Sequence, residues 1–460
     1  MERFLGIVLD TANVETEGMA QVFDNLEAVG ATAIALWPWL VQPATPETGG
    51  RVPDLHIDGH KRLLDRPVWG KRELYVKSFP AYEPDLSLYA GGAYQPLRAA
   101  PPDLDRALPD RIMDEASRRG MQSYLGFGPF TPPGLRDQDR PVRVDGATVQ
   151  PPYVAQAACL NNPEAQGYAL AAIVDLVAHY PAAAGLVLDW VEFGAYRLED
   201  NFTCFCPHCA QRAEADGYDW EAIRRDVAAL WGWLHRLDSR DLERSRRVAA
   251  RPAELLELLA AYPGWIDFLR FKAASVVAFY RRARAVLDDR GHRAVTLVAR
   301  GWCPPWNRSS GSDYRALAEV CGIVSPKLFT FDHAVLPRWY GETLHAWNPS
   351  LAESQVLDAV VDWLDLPDDH APRALAQYSI PAPGEPHPAH LDSYRARLAE
   401  VNDQVRGRAA CCPVAHPYLP EDQWREMLGI LRESRVDGLW INMYGYLSDA
   451  KLEILKQGWA

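Results

Sequence analysis

Three cysteines fall within six residues, in the run Thr203-Cys204-Phe205-Cys206-Pro207-His208-Cys209. Thiolates this close can wrap one tetrahedral ion, because zinc takes four soft or borderline ligands with sulfur about 2.3 Å away. A fourth ligand must come from elsewhere. Cys159, just ahead of a helical stretch, is the first choice, and His208, between two of the cysteines, is the competitor. Four protein ligands would close the coordination sphere and make the zinc structural. The plain alternative is a group of reduced, buried thiols.

The second chemical signal is Gly185-Leu186-Val187-Leu188-Asp189-Trp190-Val191-Glu192, an apolar run that delivers acids at its carboxyl end. Asp189 shares a face with Val187 and Val191 under the two-residue period of a strand, and Glu192 falls on the other face unless the strand is already turning. Asp10 ends the first apolar run in the same way. Paired carboxylates at such positions are what glycoside hydrolysis needs: one protonates the leaving oxygen, and the other attacks the sugar or activates water. The bland role for each is a turn carboxylate that accepts backbone N–H bonds. Asp189, Asp10 and Glu192 are the candidate catalytic acids. Arg300, Trp302, Lys327, His333, His416, Asn442, Tyr444 and Trp37 are the candidate substrate-binding side chains, because each sits at or just after the end of an apolar run.

The elements that must position these groups alternate. Apolar, β-branched runs at 4–10, 32–39, 121–128, 184–192, 292–300, 322–330, 408–415 and 437–444 predict strands. Helical patterns at 17–29, 105–119, 163–180, 265–290, 352–364 and 391–406 fall between them. Such alternation argues for a parallel sheet, and near-continuous apolar strands argue that both faces are buried. Eight units of this kind close into a (β/α)8 TIM barrel, an α/β fold whose chemistry sits at the carboxyl ends of its strands. The whole chain, 1–460, reads as a single barrel catalytic domain with long inserted loops at about 42–104 and 194–265. The segment 373–380 could add an extra or edge strand.

The stretch Cys159-Leu160-Asn161-Asn162-Pro163, the helix after it, Gly185–Asp189 and the Cys204-x-Cys206-x-x-Cys209 cluster together resemble the glycosyl-hydrolase-like barrels related to the family 42 β-galactosidases. The resemblance covers about 155–215 closely and the remainder through fold alone. It implies a barrel catalytic domain, a structural zinc held by Cys159, Cys204, Cys206 and Cys209, and a carbohydrate substrate. The chain also departs from that family. An Asn-Glu acid/base pair belongs at the end of the fourth strand, where Asp189-Trp190-Val191-Glu192 stands instead. A glutamate nucleophile belongs at the end of the seventh, where Cys411-Cys412-Pro413-Val414-Ala415-His416 offers no carboxylate. The two-glutamate machinery therefore does not transfer. Asp10 with Asp189, or Asp189 with Glu192, would have to serve.

Composition sets the outer bounds. A net charge of -13 disfavours nucleic acid as a partner. The opening MERFLGIVLDT does not read as a secretory leader, and no run of 18 or more apolar residues suggests a membrane span. A cytoplasmic enzyme, able to form a homo-oligomer, is the expectation. Sixteen tryptophans suit either a sugar cleft or a barrel core. Three functions compete: a glycoside hydrolase, a non-catalytic or degenerate carbohydrate-binding barrel, and a zinc-dependent hydrolase. An open metal position would favour the last. A carboxylate separation of about 5 Å (retaining) or about 6.5–9.5 Å (inverting) would favour the first.

Overall fold

The computed structural model describes residues 3–53, 62–150, 157–246, 252–366, 372–388 and 391–459. Its strands, in chain order, are β1 (Phe4–Leu9), β2 (Ala33–Leu36), β3 (Trp39–Pro43), β4 (Gly50–Val52), β5 (Leu74–Pro80), β6 (Gln122–Phe127), β7 (Gly185–Leu188), β8 (Thr296–Trp302), β9 (Ile323–Leu328), β10 (Ala410–Cys411), β11 (Val414–Ala415) and β12 (Gly438–Ile441). β1 pairs with β12 and β2, and the order runs on through β6, β7 and β8. β8 then pairs with β9, which closes the sheet through β10 and β11 to β12. β10 and β11 are two halves of one strand, interrupted at Cys412-Pro413, where proline has no N–H for the ladder. The result is a closed barrel of eight parallel strands with helices around it, as the alternating pattern predicts.

The barrel interior follows the two-residue period. Val8, Ala35, Tyr124, Val187, Val298, Ile323, Val414 and Trp440 form one inner cluster. Trp440 is the largest of them. Phe4 and Tyr124 meet it edge-on, with ring centroids 5.0 and 5.2 Å away, and Gly6 leaves the room its ring occupies. Counting two residues onward from the inner cluster reaches Asp10, Trp37, Asp189, Arg300, His416 and Asn442, and two steps from Ile323 reach Ser325 and Lys327. Strand parity alone thus carries these side chains to the inner rim of the carboxyl end.

Four expectations shift in detail. The helix expected over 17–29 is preceded by another, Thr11–Glu17, and the two are separated at Gly18, whose φ of 88° no ordinary L-residue adopts cheaply. The segment 373–380 holds a short 3-10 turn, Leu375–Gln377, and no strand. The final strand stops at Ile441, so Tyr444 lies in a 3-10 turn beyond it. The strand expected over 32–39 ends at Leu36, and Trp39 opens β3, which with β5 and β4 forms a separate antiparallel sheet leading into the 42–104 stretch. The 194–265 stretch carries the helices Pro207–Ala215, Trp220–Leu234, Ser239–Arg246 and Pro252–Ala261, which lead into the long helix Pro263–Asp289.

A Cβ added at Gly6 would lie 2.3 Å from the Trp440 ring. Gly6→Val should therefore overpack the barrel floor and cost about 1–3 kcal/mol, read as a lower thermal unfolding midpoint with the same far-UV spectrum.

Candidate active site and cysteine cluster

A cavity of about 690 Å³ opens at the carboxyl ends of β1, β2, β6 and β7. Asp10, Thr11, Asn13, Trp37, Tyr168, Trp190 and Met443 line its barrel side, and the β3–β5–β4 sheet, beginning with Trp39, forms another wall. Asp10 follows β1 directly, and its side chain caps nothing. Enclosure by protein pushes its carboxyl up from 3.8 to about 6. Among the described lining residues it is the one carboxylate. A larger groove of about 1030 Å³ includes Gly322 and Asp437, which precede β9 and β12, so it lies at the opposite end of the barrel.

Asp189 follows β7 at the same rim as Asp10, but it belongs to a buried charged group rather than to the cavity lining. Arg300 Nη1 donates to its Oδ2 at 3.1 Å, and Lys327 Nζ stands 3.5 Å from its Oδ1. Lys327 also donates to Glu192 Oε1 at 2.7 Å. Burial pushes Asp189 up, yet Lys327 and Arg300 outweigh it and hold the carboxyl below its ordinary value. Glu192 is raised by burial, which Lys327 only partly offsets. Burial lowers Lys327, but Glu192 and Asp189 outweigh it, so the ammonium stays charged. Asp189 is ionised and 13% exposed, whereas the Glu192 side chain is 2% exposed and faces a small cavity beside Cys159 and Cys204.

Trp190 separates the two environments. It lines the large cavity while Lys327 Nζ lies 4.6 Å from its ring centroid. Its φ is 62°, a costly value for a bulky residue, and its N–H is held by Asp189 Oδ1 at 3.1 Å. This turn breaks strand parity after Asp189 and brings Glu192 back toward Lys327.

The other sequence candidates divide by position. Trp37 lines the cavity and packs against Gly126. His416 is buried within an aromatic box, with Phe331 and Tyr446 rings 4.7 and 4.5 Å away, and its Nδ1 accepts the Tyr418 N–H at 3.2 Å. Trp302 is buried against Tyr196, 4.7 Å between ring centroids, away from the cavity. Asn442 is half-buried just past β12. Tyr444 points outward, where its hydroxyl donates to Glu17 at 2.9 Å and accepts from Asn25 at 2.7 Å. His333 ends the short helix Thr330–His333, and its side chain lies outside the described residues. Sequence reasoning missed Trp39, Tyr168 and Trp190. Trp190 carried a signal as the neighbour of Asp189, and Trp39 as the last residue of the run 32–39.

Cys159, Cys204, Cys206 and Cys209 are buried, and their sulfurs all lie within 4.8 Å of one another. Cys159 Sγ lies 3.4 Å from that of Cys206 and 3.5 Å from that of Cys209, too long for a disulfide, and all four thiols are free. A tetrahedron of sulfurs around zinc has edges of about 3.8 Å, so the set fits a four-coordinate metal. His208 is not part of it. Backbone N–H groups of Val142 and Asn161 reach Cys204 and Cys159 at 3.3 and 3.4 Å, and the Asn161 amide reaches Cys209 at 3.4 Å, as thiolates require. Hydrogen bonds from Cys159 and its neighbours pull Cys206 well below the usual thiol range. The buried Lys272 ammonium beside the cluster donates to the carbonyls of Asn201 and Ser309 at 2.8 and 3.1 Å.

The architecture has counterparts among solved structures. A β-galactosidase from the psychrophilic Marinomonas ef1 matches 99% of this chain with a TM-score of 0.52 and 11% identity. A β-galactosidase from the Antarctic haloarchaeon Halorubrum lacusprofundi matches 98% at 0.49 and 13% identity. The catalytic domain of a β-amylase from Paenibacillus polymyxa matches 99%, and 97% of that chain, at 0.47 and 9% identity. The chain spans 58% and 57% of the two β-galactosidases. No family model and no curated protein matches the sequence. At 11% identity the likeness to the Marinomonas enzyme speaks for the barrel fold and nothing finer. No helix among the described residues is long and apolar enough to cross a membrane.

Lys327→Met should leave Asp189 with Arg300 alone, take from Glu192 the ammonium that donates to it, and cost about 3–5 kcal/mol. Without the ammonium, Asp189 and Glu192 rise and the fold favours their protonated forms. The loss should therefore be largest at pH 8 and shrink as pH falls toward 4, followed by thermal denaturation across that range.

Proposed function

We propose that the protein is a glycoside hydrolase acting on a carbohydrate or glycoconjugate. The observation that carries this reading is Asp10: a carboxyl raised to about 6 in a tryptophan-walled cavity at the rim of the barrel that also holds an ionised Asp189. Two carboxyls whose surroundings drive their acidities apart are suited to divided roles. Asp10 gives its proton to the leaving oxygen as the bond from that oxygen to the sugar carbon breaks. The ionised Asp189, behind Trp190 at the same rim, acts on the building positive charge through space and does not touch the ring; water adds its hydroxyl to the sugar carbon, and its remaining proton restores Asp10. Trp37, Trp39 and Trp190 offer ring faces to the sugar. Arg300 and Lys327 act through Asp189, and the position of Glu192 supports a role in holding Lys327.

One observation favours a binding barrel without catalysis: Asp189 lies against two cations beside Trp190, which leaves Asp10 alone in the cavity. Turnover separates the two. The cysteine cluster is best read as a structural zinc clip, since its four ligands fill the coordination sphere and leave no open position for catalysis. Zinc there would tie the loop before the helix Pro163–His179 to the excursion that follows β7.

A screen against chromogenic glycosides should find turnover that falls as pH rises above about 6, with Asp10→Asn and Asp189→Asn each lowering kcat by about 10²–10⁴-fold. Turnover untouched by both substitutions would remove the assignment. Asp10→Asn has a second signature. A folded pKa of about 6 against 3.8 means that ionising Asp10 destabilises the fold, a loss absent below 3.8 and complete above 6. The variant should therefore be more stable than the parent above pH 6, by up to about 3 kcal/mol, and equal to it near pH 3.5. Elemental analysis should find one zinc per chain, and Cys209→Ser should bring metal content well below one and lower the thermal midpoint.

A further inference from the structure

The large cavity is chemically lopsided. Asp10, Thr11 and Asn13 lie on its barrel side, and Asn13 Oδ1 is buried with no partner among the described residues. Another wall is the inner face of the β3–β5–β4 sheet. Pairing puts Val41 opposite Ser78 and Val52 opposite Leu74, so alternate residues of all three strands face the cavity. Val41, Val52, Leu74 and Val76 among them are aliphatic and Trp39 is aromatic, Ser78 being the one polar member, while Gln42, Arg51 and Lys77 of the same strands are absent from the lining. Leu97, at the edge of the same cavity, is 40% exposed, one of few large apolar side chains left open to solvent. No lysine, arginine or histidine appears among the described lining residues.

A sugar alone would fill such a space badly. Its hydroxyls would leave water for a wall whose side chains offer hydrogen bonds only at Ser78 and the Trp39 indole. The volume, about 690 Å³, lies within the range of about 300–1,000 Å³ that encloses drug-sized ligands. An anionic sugar would find no cation among the described lining residues. We propose that the β3–β5–β4 wall is an apolar subsite for the aglycone of a neutral glycoside, an alkyl or aryl group that runs from the polar side at Asp10 toward Leu97. This rests on the glycoside reading of the same cavity.

The test uses methyl, butyl and octyl glucosides and galactosides in both anomers, below micellar concentration. Binding is followed by the tryptophan fluorescence of the cavity and by calorimetry, in the parent and in Asp10→Asn. Affinity for one of the sugars should rise with chain length by up to about fourfold per methylene, with an increasingly negative heat-capacity change. Val41→Thr combined with Leu97→Asn, a near-isosteric and an exposed change, should flatten that dependence and leave methyl glycoside binding as it was. Equal affinity for methyl and octyl glycosides, or an octyl preference unchanged in the double variant, would overturn the subsite. Chain-length-dependent binding with no hydrolysis by the parent would keep the subsite and sink the hydrolase. Hydrolysis with no chain-length dependence would do the reverse, and absence of any binding would sink both.

Discussion

Lys327 stands between two acids in the interior of the barrel, and the carboxyl rim is arranged around that ammonium. Moving an isolated charge out of water costs far more than one contact returns, so buried charges persist only in mutually compensating sets. Here the set has two acids and two bases from three places in the chain: Asp189 and Glu192 after β7, Arg300 on β8 and Lys327 on β9. Without the ammonium, Asp189 would lose the condition that keeps it ionised at the rim.

The same balance explains why Asp10 differs from Asp189 at the same end of the same barrel. Among the described residues no cation offsets the burial of Asp10, so its carboxyl is raised to about 6. Its destabilising charge is tolerated in the fold, as is the unfavourable backbone of Trp190. Both departures from the most stable choice lie on the wall of one cavity, which is where strain and perturbed acidity collect when a site has work to do.

The cysteine cluster secures a different feature. The excursion after β7 runs through four helices before the chain returns to the barrel in the long helix Pro263–Asp289. Four sulfurs anchor its start to the loop at Cys159, and Lys272 from the long helix binds carbonyls of that excursion and of the loop after β8. Glu192 lies between this anchor and Lys327. The cluster therefore lies beside Glu192 and outside the lining of the large cavity.

Much of this was written in local pattern. Parallel strands buried on both faces must be apolar runs, so the eight strands and their alternation with helices could be read directly. The short cysteine spacing pointed to a cluster, and the two-residue period put Asp10, Trp37, Asp189, Arg300, Lys327, His416 and Asn442 at strand ends on one parity. What local pattern could not express was anything that depends on closure of the barrel. Lys327 meets Glu192 across 135 residues of chain because β9 and β7 both flank β8. The positive φ of Trp190 re-aims Glu192, and the stop at Ile441 turns Tyr444 outward, neither of which composition reveals. The aliphatic wall belongs to an inserted sheet whose register decides which of its residues face the cavity. Side-chain identity and spacing set which groups reach the rim; only the three-dimensional pairing of distant segments decided which of them stay charged, which stay protonated and which meet a ligand.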